Sequence, residues 1–252
     1  MTETSQTVLV ERHGAIRIVR LNRPDKKNAI TRAMYIAMER ALAEAEADDT
    51  VRVHVVLGRP GAFSAGNDIA DFLAFAEGGQ MGAEVFCLLD RVARLEKPLV
   101  SGVDGLAIGI GTTLNLHCDL TFATPAAVFR TPFVDLGLVP EAASSLLAPA
   151  LMGHQRAFAM LAMGETLSAE QAREAGLVYR IVAAEALEAR VLEAAEALAA
   201  KPAQALALTK RLLKGDRQAV LDRIALEADH FAERLQSHEA RAAFKAFMGR
   251  KR

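Results

Sequence analysis

The chain has 252 residues, 52% apolar and 24% charged, enough to bury one compact core without covalent staples. Its net charge of −1 excludes the strong basic bias of a nucleic-acid binder, but leaves room for a small anionic ligand held by a few local cations. The two cysteines, Cys87 and Cys118, are too few for a disulfide framework and have no CxxC spacing. Both are therefore expected as buried small hydrophobes in a reduced, cytoplasmic protein.

Residues 1–7 are polar and lack the apolar run of a signal peptide, and no segment offers about 18 uncharged apolar residues, so no membrane span is expected. The closing Gly249-Arg250-Lys251-Arg252 is not a peroxisomal address and reads as a solvated tail. Residues 8–21 predict two strands around a turn at His13-Gly14. Asn22-Arg23-Pro24-Asp25 is a breaker cluster. Thr31 can cap a helix running to about Ala47, with Met34, Met38, Ala41 and Ala45 on its apolar face. Residues 53–57 predict a buried strand, 58–66 a glycine-rich loop, and a helix follows near Asp68. A helix over 83–95 stops ahead of Pro98, a second buried strand covers 99–103, and a second glycine turn covers 105–111. An apolar helix near 111–117 and strands at 120–123 and 128–129 come next. From about Ala142 the pattern is mostly helical, ending in a stripe of Leu221, Ile224, Ala228, Phe231 and Leu235. Strands interleaved with helices predict a wound α/β core over residues 1–195, and residues 196–252 predict a helical oligomerisation region.

Two segments concentrate the chemistry: Gly61-Ala62-Phe63-Ser64-Ala65-Gly66-Asn67-Asp68-Ile69 and Gly105-Leu106-Ala107-Ile108-Gly109-Ile110-Gly111. Each sets glycines between a buried strand and a helix. Such a turn leaves backbone N–H groups unpaired at the positive end of the helix, and two facing turns could hold an oxyanion between them. Two merely tight turns would carry the same letters. A dinucleotide fingerprint is rejected at Gly109-Ile110-Gly111, because position 114 is Leu where that motif needs glycine. There is no GxSxG elbow, and no histidine pairs with a nearby acid at metal-ligand spacing, so neither a serine nucleophile nor a metal is expected. Asp68 reads as a helix cap, and Asp104 and Asp119 as turn acids.

Several ordered motifs resemble the crotonase (enoyl-CoA hydratase/isomerase) superfamily over about residues 8–185. They are Leu21-Asn22-Arg23-Pro24 with Asn28-Ala29, the segment from Gly61 to Asp68, Lys97-Pro98-Leu99-Val100, Asp104-Gly105-Leu106-Ala107 with Gly109-Ile110-Gly111 and Cys118-Asp119, Phe129-Arg130-Thr131-Pro132, Leu136-Gly137-Leu138-Val139-Pro140, and Ala175-Gly176-Leu177-Val178. The resemblance implies a crotonase spiral of ββα units, a C-terminal helical trimerisation domain, a homotrimer or dimer of trimers, and an acyl-CoA thioester as substrate with no separate cofactor. It implies oxyanion donors at the backbone N–H groups of Asn67 and Ile110, with Ala65, Asp68 and Gly109 around them and Arg23, Lys26 and Lys27 on the adenine side of CoA, although solvated surface charge is an equal reading of those three cations.

Hydratases of this superfamily use two carboxylates, whose matching positions here are Thr113 and Phe133; neither can move a proton near neutral pH. Glu141 instead matches the catalytic glutamate of the peroxisomal-type Δ3,Δ2-enoyl-CoA isomerases, the subgroup that Ser64-Ala65-Gly66-Asn67-Asp68 and Arg130-Thr131-Pro132-Phe133 also resemble. The resemblance therefore implies a shift of a double bond with Glu141 as proton shuttle, in a pocket lined by Phe133 and Leu138. A ring-opening or ring-expanding isomerase of aromatic acyl-CoAs would use the same parts. A first-turn helix acid is the plain alternative for Glu141. At the level of function, the alternatives are a hydratase or other lyase using Asp135, and a non-catalytic acyl-CoA-binding protein. Ala142 departs from the subgroup, which often has glycine there, and predicts a tighter or differently posed loop.

Overall fold

The computed structural model describes residues 7–71 and 82–249. The chain opens with a hairpin, β1 (Val8–His13) and β2 (Ile16–Leu21), turning at Gly14. Helix α1 (Arg32–Ala47) starts where the Thr31 hydroxyl accepts the Met34 amide at 3.3 Å, and it buries Met34, Tyr35, Met38, Ala41, Leu42 and Ala45. The chain then repeats one unit. Strand β3 (Val53–Leu57) is followed by a short β4 (Ala62–Ser64) and, beyond residues 69–71, by α2 (Ala83–Arg94). The next unit is β5 (Leu99–Val103), β6 (Leu106–Ile108) and α3 (Ile110–Thr113), the last continuing as a 3-10 turn to Leu116. Strands β7 (Leu120–Ala123) and β8 (Val128–Arg130) complete the series.

Each repeat adds one strand to each of two sheets. The larger has the order β1-β2-β3-β5-β7-β10 and the smaller β4-β6-β8-β9, where β9 is Leu167–Ser168 and β10 is Arg180–Ile181. From β2 to β10 the large sheet is parallel, as are β4, β6 and β8 in the small one. Parallel strands need crossovers, and the helices supply them while covering both faces. Hence Val53, Val55, Val56, Leu99, Val100 and Val103 are all buried. This is the ββα spiral that the sequence resemblance implies.

Helices α4 (Ser144–Met152), α5 (His154–Leu161) and α6 (Ala169–Glu174) follow. Helix α7 (Leu187–Ala199) crosses the boundary expected at 195 and packs Leu187, Val191 and Ala195 on Val53, Val55, Val100 and Phe122 of the large sheet. Then come α8 (Ala203–Lys214), α9 (Arg217–Leu235) and α10 (His238–Gly249), and α9 lies against α2 and α4 of its own chain. The expectation for the cysteines is corrected: Cys118 is half-buried and Cys87 is exposed. The inward face of α2 is taken by Val85, Leu88, Leu89 and Val92, which leaves position 87 on the outer side.

Candidate active site

Parallel pairing of β4 with β6 sets Ala62 beside Leu106 and Ser64 beside Ala107, so the loops leaving the two strands emerge side by side. Each loop turns at a glycine of positive φ, Gly66 at 87° and Gly109 at 55°, a backbone state that L side chains rarely adopt. The loops also touch: a β-carbon at Gly66 would stand 2.9 Å from the Ile108 carbonyl oxygen. The residues that follow these two glycines are Asn67 and Ile110.

Both of their N–H groups are left over by the local hydrogen bonding. Asn67 bridges Ile30, but the bonds run from the Ile30 amide to the Gly66 carbonyl and from the Asp68 amide to the Ile30 carbonyl, at 2.8 and 2.9 Å. In that pattern the Asn67 N–H points to the other side of the strand. Ile110 opens α3, whose Thr112 and Thr113 amides return to the Gly109 carbonyl, and its own N–H is one of the unpaired first-turn donors. Among the described residues neither amide has an internal acceptor.

A third loop continues the row after β8, which pairs with β6 in parallel. The three loops line a cavity of about 740 Å³ with Ala65, Gly66 and Asn67, then Ile108 and Gly109, then Arg130, Pro132 and Phe133. Leu138 closes one side, and Phe231 and Phe244 from α9 and α10 close another. Volume and apolar lining suit a small organic ligand. Of the site residues expected from the sequence, Ala65, Asn67, Gly109, Phe133 and Leu138 meet here.

Glu141 and Ile110 are not part of this lining, although their chain neighbours Leu138 and Gly109 are. Glu141 is buried, 4% exposed, and the Thr113 hydroxyl donates to its Oε1 at 2.6 Å. Burial pushes its carboxyl up to about 7, the nearby charge of Glu227 adds to the rise, and the Thr113 bond opposes it. Tyr35, fully buried, donates its hydroxyl to Asn67 Oδ1 at 2.6 Å. Burial raises the Tyr35 phenol well above its usual range, and the charge of Glu141 raises it further. Sequence reasoning set Thr113 aside because it cannot carry a proton; in the fold it is the hydrogen-bond partner of the group that can. Tyr35 was legible only as one of two tyrosines in the chain, within a helix of apolar period.

The backbone that presents Glu141 is strained. Ala142 and Ala143 both have left-handed φ, 63° and 53°, at about 1–2 kcal/mol each for an L residue. The turn expected to tighten at Ala142 thus keeps a glycine-like conformation in spite of its methyl group. His117 Nε2 donates to the Ala142 carbonyl at 2.7 Å, and burial lowers its pKa to about 4, so it holds this turn as a neutral ring.

Arg23, Lys27 and Asp68 stand outside the cavity lining. Arg23 pairs with Asp68 at 2.6 Å and bonds the Ala29 carbonyl, while Lys27 is exposed. Asp68 also accepts the Ala70 amide at 3.0 Å, the capping role expected of it. The loop of Arg23 and Lys27 nevertheless adjoins the first glycine turn. The Lys27 carbonyl accepts the Ala65 amide, and the buried Asn28 side chain donates to the Ala62 and Phe63 carbonyls and accepts the Arg23 amide. Asp135 lines the cavity but is bound to Arg130 at 2.8 Å. Asp104 and Asp119 act in turns: Asp104 accepts the Gly61 amide and Asp119 the Leu99 amide.

Residues 11–252 match the enoyl-CoA hydratase/isomerase family. Among individual proteins, the chain is 33% identical to the 1,2-epoxyphenylacetyl-CoA isomerase of Escherichia coli, over 92% of this chain and 91% of that protein. It is 34% identical to enoyl-CoA delta isomerase 2 of Rattus norvegicus over 99% of its own length, which spans 65% of the rat protein. The structure of Pseudomonas aeruginosa OdaA superposes with a TM-score of 0.92 at 41% identity, covering 97% of this chain and 99% of that one. Matched relatives are named for more than one chemistry, isomerisation and dehalogenation among them.

Proposed function

We propose a double-bond isomerase of acyl-CoA thioesters, starting from what the match establishes: the chain belongs to the enoyl-CoA hydratase/isomerase family. The substrate enters the cavity with its thioester oxygen at the Asn67 and Ile110 amides. Glu141, as carboxylate, removes a proton from C2 of a 3-enoyl-CoA. The electron pair left at C2 forms a C1–C2 double bond and displaces the carbonyl pair onto the thioester oxygen, giving a dienolate in which the C3–C4 double bond is still in place. Each oriented amide there is worth about 3 kcal/mol of barrier. The protonated Glu141 then delivers its proton to C4, which leaves the double bond between C2 and C3 and restores the carboxylate. Arg23, Lys26 and Lys27, at the edge of the first loop, are the proposed neighbours of the CoA moiety.

The observation that carries this reading is a buried carboxyl, pushed up to about 7 and bonded to Thr113 of the helix that Ile110 opens, together with two backbone donors that have no internal acceptor among the described residues. Thr113 and Phe133, at the positions where hydratases keep their acids, argue against addition of water. Asp135, the other acid available to a lyase, is engaged in an ion pair with Arg130. The exposed leucines of α8 support the proposed trimer (Leu208, Leu212 and Leu213, the last two 82% exposed). No helix among the described residues is long and apolar enough to cross a membrane.

Replacement Glu141→Gln tests the reading. Isomerisation of a 3-enoyl-CoA, followed by absorbance of the conjugated product, is expected to fall about 10²–10⁴-fold in kcat with KM little changed. Full activity in this variant would remove Glu141 as the base. Hydration of a 2-enoyl-CoA that is lost in Asp135→Asn and kept in Glu141→Gln would favour the lyase.

A further inference from the structure

The apolar stripe expected on the last long helix is interrupted. Where Ala228 was expected to face inward, Glu227 does, 6% exposed, and Ala228 is only half-buried. An uncompensated carboxylate in such a place is costly, so its partners indicate what keeps it there. Glu227 Oε1 accepts the Ser145 amide at 2.9 Å; burial raises its carboxyl above the usual range, and the Ser145 hydroxyl, the nearby amides and the Arg223 charge oppose that rise. Arg223, one turn earlier on α9, donates to Ser145 Oγ at 3.0 Å. Glu227 Oε2 and Ser144 Oγ are both buried with no hydrogen-bond partner among the described residues.

These contacts all fall on the first turn of α4, immediately after the left-handed Ala142-Ala143 step. We propose that Glu227 is a positioning residue for Glu141: from the C-terminal helix it clamps the start of α4, fixes the strained turn that presents the Glu141 carboxyl, and sets a second acidic group behind that carboxyl. The proposal rests on reading Glu141 as the base. The turn is held from two directions, by Glu227 at the Ser145 amide and by His117 at the Ala142 carbonyl. With both ends anchored, the strain of the two alanines persists instead of relaxing.

Charge acts in the same direction as geometry. The groups facing Glu141 are the Thr113 hydroxyl from α3, the Tyr35 hydroxyl from α1 and Glu227 from α9; Arg223 reaches the cluster through Ser145. Lys210 and Lys214 bear on His117, which is neutral. Thr113 favours the Glu141 anion, and Glu227 is the charged group that opposes it. Removing the charge of Glu227 while keeping its oxygen therefore lowers the pH at which Glu141 gives up its proton.

The test uses the full-length protein with Glu227→Gln and Glu227→Ala. Carbon-13 glutamate labelling, with Glu141 assigned by its absence from E141Q, follows the Glu141 titration directly. The pH profile of kcat/KM on a 3-enoyl-CoA follows it through activity. In E227Q the titration and the acidic limb are both expected to move down by about half a pH unit or more. In E227A kcat is expected to fall about 10-fold or more at little change in KM, with E227Q recovering most of that loss. A Glu141 midpoint that stays in place in E227Q, with wild-type kcat in E227A, overturns the proposal even if E141Q is inactive. A midpoint that moves while E141Q remains fully active supports the clamp and overturns the reading of Glu141 as base. Should E227A not fold, the E227Q titration decides alone.

Discussion

Burial sets the Glu141 carboxyl against its own charge, and the consequence is measurable in two ways. As a base it must be ionised, so kcat/KM is expected to fall about tenfold per pH unit below about 7, where the group takes up its proton. Stability follows with the opposite preference. The unfolded carboxyl titrates near 4.5 and the folded one near 7, so between these values the folded chain binds the extra proton. The contribution is fully present below 4.5, declines as pH rises through 7, and is gone above it. The difference corresponds to about 3 kcal/mol between the ends of that window. Glu141→Gln removes the titration, so the variant is expected to be more stable than the wild type at pH 8 by about 2–3 kcal/mol and similar to it near pH 4.5. Urea unfolding at the two pH values measures this. Equal stability at pH 8 would mean that the carboxylate carries no desolvation penalty.

The loop that joins β2 to α1 is an element held by one side chain. Asn28 is fully buried at φ 54°, a conformation asparagine tolerates better than most residues, and its amide ties β4 to the Arg23 amide through three hydrogen bonds. Asn28→Ala leaves those backbone groups without this partner and is expected to cost about 2–4 kcal/mol. Because the same loop holds the Ala65 amide and the Gly66 carbonyl, KM for the CoA thioester is expected to rise along with the loss of stability. Thermal melts and steady-state kinetics on the same preparation check both; a destabilised protein with unchanged KM would separate this loop from substrate binding. At this scale the sequence was informative wherever the signal was local. Thr31 as a cap, the helix ending before Pro98, the strands at 53–57 and 99–103, and the two glycine turns were all visible as short-range patterns. Contacts that join distant elements left no such pattern. Thr113 meets Glu141 across 28 positions, Tyr35 meets Asn67 across 32, and Ser145 meets Glu227 across 82. On α9 the helical period alone could not separate Ala228 from Glu227 as the inward residue, since both lie near the same face and hydrophobicity favours the wrong one.

For the whole molecule, the spiral is the reason two weak motifs become one site. Each repeat places its second strand beside the previous one in parallel, so equivalent loops recur at the same end of the small sheet. Composition and period predict the strands, but only the pairing shows that the loops after β4, β6 and β8 are neighbours. The resemblance to a known family supplied that step before the structure did. One face of the molecule is not explained by the single chain. Helix α8 buries none of its residues, and Leu208, Leu212 and Leu213 stand out from it. The proposed trimer would cover them, and burying each leucine would contribute about 1.5–3 kcal/mol per subunit. The wild-type protein is therefore expected to show a mass of three or six times 27.1 kDa by light scattering. The double change Leu212→Asp with Leu213→Asp places two charges where apolar contact is needed and is expected to give the single-chain mass. Because α8 lies outside the cavity lining, the monomer would retain its fold by circular dichroism, and its residual isomerase activity would show how far catalysis depends on assembly. A wild-type protein that already runs at 27.1 kDa would leave these leucines exposed in solution and remove the trimer.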